Sequence, residues 1–269
     1  MSIITISRGS YSRGKEIAET VSQRLGYKCL SRDILLDTSD KYHIPEMKLI
    51  RAIHDAPNIL DRFVYNKDKY INFVQSTLLN FLKEDNVVYH GLAGQFFVKD
   101  VPHVLKVRII SDMEDRIQCE MERENISYDE AKNVLKKDDE QRKKWSMNLY
   151  GIDTTDSTLY DLVIHIGKIS VEDAADIICH TAAKEQFKTT AQSQKMIEDL
   201  ALAAEVRTMV FNINPNIGVF AFNGNVHIQA KAREIQEERL IEEIKASAGT
   251  VKGVKNVTVE VQPVAFYAD

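Results

Sequence analysis

Residues 3–17 read IITISRGSYSRGKEI, a short apolar run that stops at Ser7, a stretch spelling GxxxxGK from Gly9 to Lys15, and the start of a helical pattern. The spelling has a physical rationale. Successive backbone N–H groups wrap a phosphate, a helix N-terminus presents partial positive charge to it, and the lysine reaches the outer phosphates. Ile3, Ile4 and Ile6 suit a strand buried on both faces, whereas Ile17, Ala18, Val21 and Leu25 form an apolar stripe closed by Gly26. Strand, loop and helix in that order predict a nucleoside triphosphate as ligand. The Ser or Thr that customarily follows the lysine is Glu16 here.

Outward from this stretch, strand and helix signals alternate. Residues 27–30 form a second short strand, and Ser31 is placed to cap a following helix. Residues 33–83 read as helical with interruptions at Pro45 and Pro57, and Ile71, Val74, Leu78 and Leu82 share one face. A third strand begins at Asn86 and runs into a turn bearing Gly91 and Gly94, where His90 reads as a packed residue. Residues 104–110 are the clearest strand, followed by a charged helix carrying Arg116 and Arg123. Residues 128–145 are helical and dense in charge, residues 161–166 are a strand, and a helix runs from about Val171 to Lys184. Such alternation predicts a parallel sheet between helices.

The bulk numbers set limits on function. The chain has 269 residues, 44% hydrophobic and 28% charged, which are globular values compatible with two domains. No apolar run approaches 18 residues and MSIITIS lacks the parts of a secretory signal, so no transmembrane segment and a cytoplasmic location are expected. Cys29, Cys119 and Cys179 are far apart and odd in number, suggesting neither a disulfide framework nor a zinc site. A formal net charge of −5 argues against nucleic acid as a partner.

Taken together, ITISR at 4–8, GKEIA at 14–18, LG at 25–26, the series Asp139, Arg142 and Trp145, and YDLV at 160–163 resemble the cytidylate kinase-like family of phosphate-loop nucleoside monophosphate kinases. The resemblance runs through residues 1–183. It implies an α/β phosphate-loop kinase fold with a parallel five-stranded sheet and a helical lid over residues 132–145. It further implies ATP with Mg2+ on the loop and a monophosphate acceptor, with CMP or dCMP the best guess. By position, Gly9, Ser12, Arg13, Gly14, Lys15 and Glu16 would hold the ATP phosphates. Lys15, Asp139 and Arg142 would be catalytic, with Arg142 at the transition state, and Arg32, Asp33 and Arg116 would bind the acceptor. Trp145 would pack the lid helix down. The chain departs from the family pattern at Tyr11 and Arg13, where glycines are usual, and at Leu92, where an arginine is usual. These departures support a second reading, a nucleotide-binding sensor or scaffold with little turnover.

Residues 185–195 are polar and read as a linker or an exposed helix extension between a domain at 1–184 and a second at 196–265. In the second, a helix from Ile197 precedes two strands joined by Asn223-Gly224, a strong hairpin signal, then a helix and a last strand at 254–261. This order resembles the BON domain, a small α+β (αββαβ) module. The resemblance implies binding of a protein or phospholipid partner. The module has no polybasic stretch that would draw it to anionic lipid, which favours a soluble ligand or a protein.

Overall fold

The structure is a computed structural model that describes residues 2–9, 12–31, 33–46, 48–49, 65–91, 94–232 and 237–263. Strand β1 (Ile3–Arg8) runs through the middle of a five-stranded parallel sheet of order β2-β3-β1-β4-β5. Its partners are β2 (Lys28–Leu30), β3 (Val87–Tyr89), β4 (Val104–Ser111) and β5 (Leu162–Ile166). Ile4 pairs with Val88 on one side and Leu105 on the other, so β1 is enclosed by neighbours at both edges. An uninterrupted apolar run is what such a strand needs, because alternate side chains enter two different cores. Ile4 and Ile6 pack with Ile17, Ala18 and Val21 of α1 (Gly14–Leu25). Ile3 faces the opposite core.

That opposite core is built largely by α2 (Asp33–Tyr42) and α3 (Tyr65–Leu82), two described parts of the expected helical stretch, with Leu49 between them; Pro57 lies outside the described residues. The helical turn α4 (Gly94–Phe97) follows β3, and α5 (Met113–Glu124) follows β4. The expected lid is part of a longer helix, α6 (Tyr128–Tyr150). Ser127 and Glu130 cap its start reciprocally, and Gly151 ends it in a left-handed conformation with φ 65°. Helix α7 (Val171–Ala182) lies beside α1, and the side chain of Arg24 meets Glu172 and Asp176 across that contact.

The polar segment between the two halves is ordered. It holds a 3-10 turn at Glu185–Phe187 and the first turn of α8 (Ala191–Val210), so the helix-extension reading describes its second part. Thr190 caps α8 in reciprocal hydrogen bonds with Ser193. Thr189 donates to Asp85, and Gln194 donates to the carbonyl of Lys83, fastening the segment to the end of α3.

Helix α8 belongs to two cores. Ile197, Ala201 and Ala204 are buried with Leu78, Leu79 and Leu82 of α3, whereas Val206 and Val210 are buried against a second, three-stranded sheet. That sheet has the order β6-β7-β8, from β6 (Ile217–Phe222), β7 (Asn225–Ala232) and β8 (Asn256–Pro263). Strands β6 and β7 form the expected hairpin, with Asn223 and Gly224 both at positive φ as its tight turn requires. Helix α9 (Glu237–Gly249) completes the αββαβ order and returns the chain to a parallel β8.

Because one helix closes both cores, heat should melt them together. Ile197→Ala is expected to cost about 2–5 kcal/mol by cavity formation and to lower a single calorimetric transition. Two separated transitions in the parent chain would contradict this coupling.

Candidate active site

The C-terminal ends of β1, β3 and β4 open onto a cavity of about 700 Å3. This edge of a parallel sheet is where crossover connections leave a crevice. Gly9 and Ser12 of the loop line it, and Ser12 Oγ donates to the carbonyl of Gly9 at 3.0 Å, curling the loop toward α1. Arg13 sits at φ 58° and ψ 12° immediately before the helix. A side chain in this left-handed conformation costs on the order of 1 kcal/mol that glycine would avoid. Gly14 is buried beneath Arg8. A Cβ there would lie 2.5 Å from Arg8 Cδ, so only glycine fits.

The cavity wall is rich in cations: Arg8, Arg108, Arg116, Arg123, Arg142 and Lys143 line it, against the carboxylates of Asp139 and Glu140. Four come from β1, β4 and α5, and α6 brings Arg142 and Lys143. Arg116 is nearly buried and donates through both terminal nitrogens to the two carboxylate oxygens of Asp139, each at 2.9 Å. This fork holds the guanidinium over Gly9, where a Cβ would lie 3.4 Å from Arg116 Cζ. Arg142 donates to the carbonyl of Arg8 at 2.8 Å, joining α6 to the end of β1. Lys143 reaches Asp153 at 2.8 Å, and that contact with Thr155 holds the Asp153 carboxyl well below the usual carboxylate range.

The site residues expected from sequence divide into three groups. Gly9, Ser12, Arg116, Asp139 and Arg142 line one cavity. Gly14 shapes the loop, while Arg13, Lys15 and Glu16 are exposed outside the cavity wall, and Lys15 Nζ lies 3.6 Å from Glu19 with its side chain 67% exposed. Arg32 lies outside the described residues, as do Tyr11 and Leu92, and of Asp33 only its place at the start of α2 is described. Asp139, expected as a separate catalytic carboxylate, and Arg116, expected at the acceptor, are one ion pair.

Three residues are added by the tertiary structure. Arg8 was legible only as part of a motif; its position one residue before Gly9 was the available signal. Arg108 interrupts an apolar strand, and its guanidinium donates to Tyr160 Oη at 3.2 Å and to the carbonyl of Thr154. His90, read as a packed residue, is 3% exposed, yet it also walls the cavity. Its backbone N–H donates to Leu30, but Nδ1 has no hydrogen-bond partner. Burial, together with the charges of Arg8 and Lys15, pushes its pKa down to about 4, so the ring is neutral near pH 7.

The positions that customarily hold magnesium fit it poorly. The described residues contain no cluster of three or more His, Cys, Asp or Glu side chains, Glu16 is exposed, and Asp139 is engaged by Arg116.

A model of the cytidylate kinase-like family matches residues 3–168, more than half of the chain. The chain belongs to that family. Among curated relatives, a cytidylate kinase of Archaeoglobus fulgidus is 28% identical over 188 residues, covering 69% of this chain and 97% of the relative. A cytidylate kinase of Sulfolobus acidocaldarius is 27% identical over 186 residues, covering 68% and 96% respectively. An uncharacterised protein of Eubacterium ventriosum, solved by crystallography, superposes over 69% of this chain and 100% of its own with a TM-score of 0.52 at 21% identity, which speaks for the fold. Membership of this kinase family implies ATP and a divalent metal as reactants.

The buried histidines of this family member carry a pH signature. The folded pKa of His90 lies below the 6.5 of a free histidine, so between pH 6.5 and about 4 the unfolded chain takes up a proton that the folded chain refuses. Stability is therefore present above pH 6.5 and falls as pH drops through that window. His103, fully buried and lowered chiefly by desolvation, acts in the same direction. Melting temperatures measured from pH 7 to 4 should fall, and His90→Asn should make the fall shallower without abolishing it.

Proposed function

We propose that this chain transfers the terminal phosphoryl group of ATP to a nucleoside monophosphate, with CMP or dCMP as the first acceptors to test. The observation that carries the reading is the convergence of Arg8, Arg116 and Arg142, from a strand end and two helices, on the cavity at the phosphate loop. Phosphoryl transfer spreads negative charge over the equatorial oxygens, and its catalysis rests mainly on positioning and on cations that neutralise this charge. An acceptor phosphate oxygen attacks the terminal phosphorus, the bond to the bridging oxygen breaks, and ADP leaves with the electron pair. The attacking oxygen is already an anion, so neutral His90 need not act as a base. Magnesium, when bound to ATP, adds charge neutralisation on the donor phosphates.

In this scheme Gly9, Ser12, Gly14 and Lys15 form the ATP side, with Arg13 and Glu16 at its outer rim. Arg142 supports the transferring group, Asp139 orients Arg116, and Arg116, Arg32 and Asp33 serve the acceptor. The unit at 1–184 carries this chemistry, and the module at 196–265 is a BON domain binding a protein or phospholipid partner, in a cytoplasmic protein with no nucleic-acid role. A nucleotide sensor with weak turnover is the second reading, favoured by Lys15 lying beside Glu19 rather than on the cavity wall.

A coupled assay across CMP, dCMP, UMP, AMP and GMP tests the proposal. ADP should form with at least one acceptor, and Arg142→Ala should lower kcat by about 10³-fold. Turnover at background with every acceptor, alongside ATP-dependent thermal stabilisation, would select the sensor. Gly14→Ala should lose nucleotide binding in either case, because its Cβ would collide with Arg8.

A further inference from the structure

His90 follows Tyr89, which is in register with Thr5, so it stands at the end of β3 beside the segment where β1 passes into the loop. At this junction phosphate-loop enzymes anchor magnesium with two protein groups, a loop hydroxyl and a strand-end aspartate. Here the first is the exposed Glu16 and the second is an imidazole that is buried on the cavity wall with Nδ1 unpartnered. Arg8 and Lys15 both act on that ring, so it lies among positive charges and brings no negative charge of its own. The described carboxylates on the cavity are Glu140 and Asp139, and Asp139 is bound through both oxygens to Arg116. The charge needed to hold a polyphosphate is instead present as guanidinium groups.

We infer that this site binds the polyphosphate of a nucleotide without a protein-anchored metal, and that His90, standing in place of a metal-holding carboxylate, is what removes the anchor. The inference rests on the nucleotide-binding reading above. Any magnesium used in turnover enters and leaves on the nucleotide, and the protein's own affinity for the polyphosphate is set by the loop together with Arg8 and Arg142. A divalent cation on the phosphates would find no pair of carboxylates to bridge to among the described cavity residues, since Asp139 is held by Arg116, so it would add little to the affinity.

Titration calorimetry of the full chain with ADP, once in EDTA and once in excess magnesium, tests the inference. The two dissociation constants should agree within about threefold, and His90→Asn should behave alike, because it keeps a neutral group at this point. His90→Asp should weaken ADP binding about tenfold or more in EDTA, by placing a negative charge next to the phosphates, and magnesium should restore it. A parent chain that loses tenfold or more of its affinity on chelation overturns the inference while leaving the nucleotide-binding reading intact. Absence of ADP binding in both buffers overturns that reading itself. Should His90→Asp fail to fold, the parent and His90→Asn in the two buffers still decide.

Discussion

The side chain of Arg8 lies within 2.5 Å of where a Cβ on Gly14 would sit, and the active-site half of the molecule depends on that contact. It lets the end of β1 and the start of α1 lie close together, where Ser12 donates to the carbonyl of Gly9. The same arginine accepts a hydrogen bond from Arg142 at its carbonyl and presents its side chain to the cavity. One residue thus sets the loop, docks the lid helix and contributes charge. A glycine with no side chain is the condition for all three.

Clustered cations in a partly enclosed cavity repel one another, and the lid helix is held down by the contacts that relieve this repulsion. Asp139 neutralises Arg116, the carbonyl of Arg8 takes the Arg142 guanidinium, and Asp153 takes Lys143. Trp145, buried beside Tyr150 with ring centroids 5.7 Å apart, adds an apolar hold on the same helix. An incoming phosphate offers the guanidinium groups a stronger anionic partner than a carbonyl. Ligand binding and lid position are therefore linked by the same charges.

Helix α8 extends this linkage to the second sheet. Its Arg207, lowered in pKa by burial, feels Asp68 on α3 and Tyr150 at the end of the lid helix. Lys41 of α2 lies 3.6 Å from Glu205 on the same helix. Helices α2, α3 and α6 and the C-terminal module thus share a wall. Two closed cores joined by a tether would lack this connection; here the join is a packed helix.

The sequence alone determined the order of strands and helices, because local periodicity, glycine positions and caps act over a few residues. IITIS required a doubly buried strand, Asn223-Gly224 required a tight hairpin, and the GxxxxGK spelling located the phosphate loop. It also marked Gly9, Ser12, Arg116, Asp139 and Arg142 as candidates, and these five line one cavity. Tertiary structure decided what depends on residues distant in sequence: that Arg116 and Asp139 form one pair, that Arg8 and Arg108 join the cation wall, and that His90 faces the cavity. It also decided that α8 is buried on two sides, which its polar start concealed. Contact, burial and mutual charge arise only when separate segments meet, and no local pattern of the chain encodes where that happens.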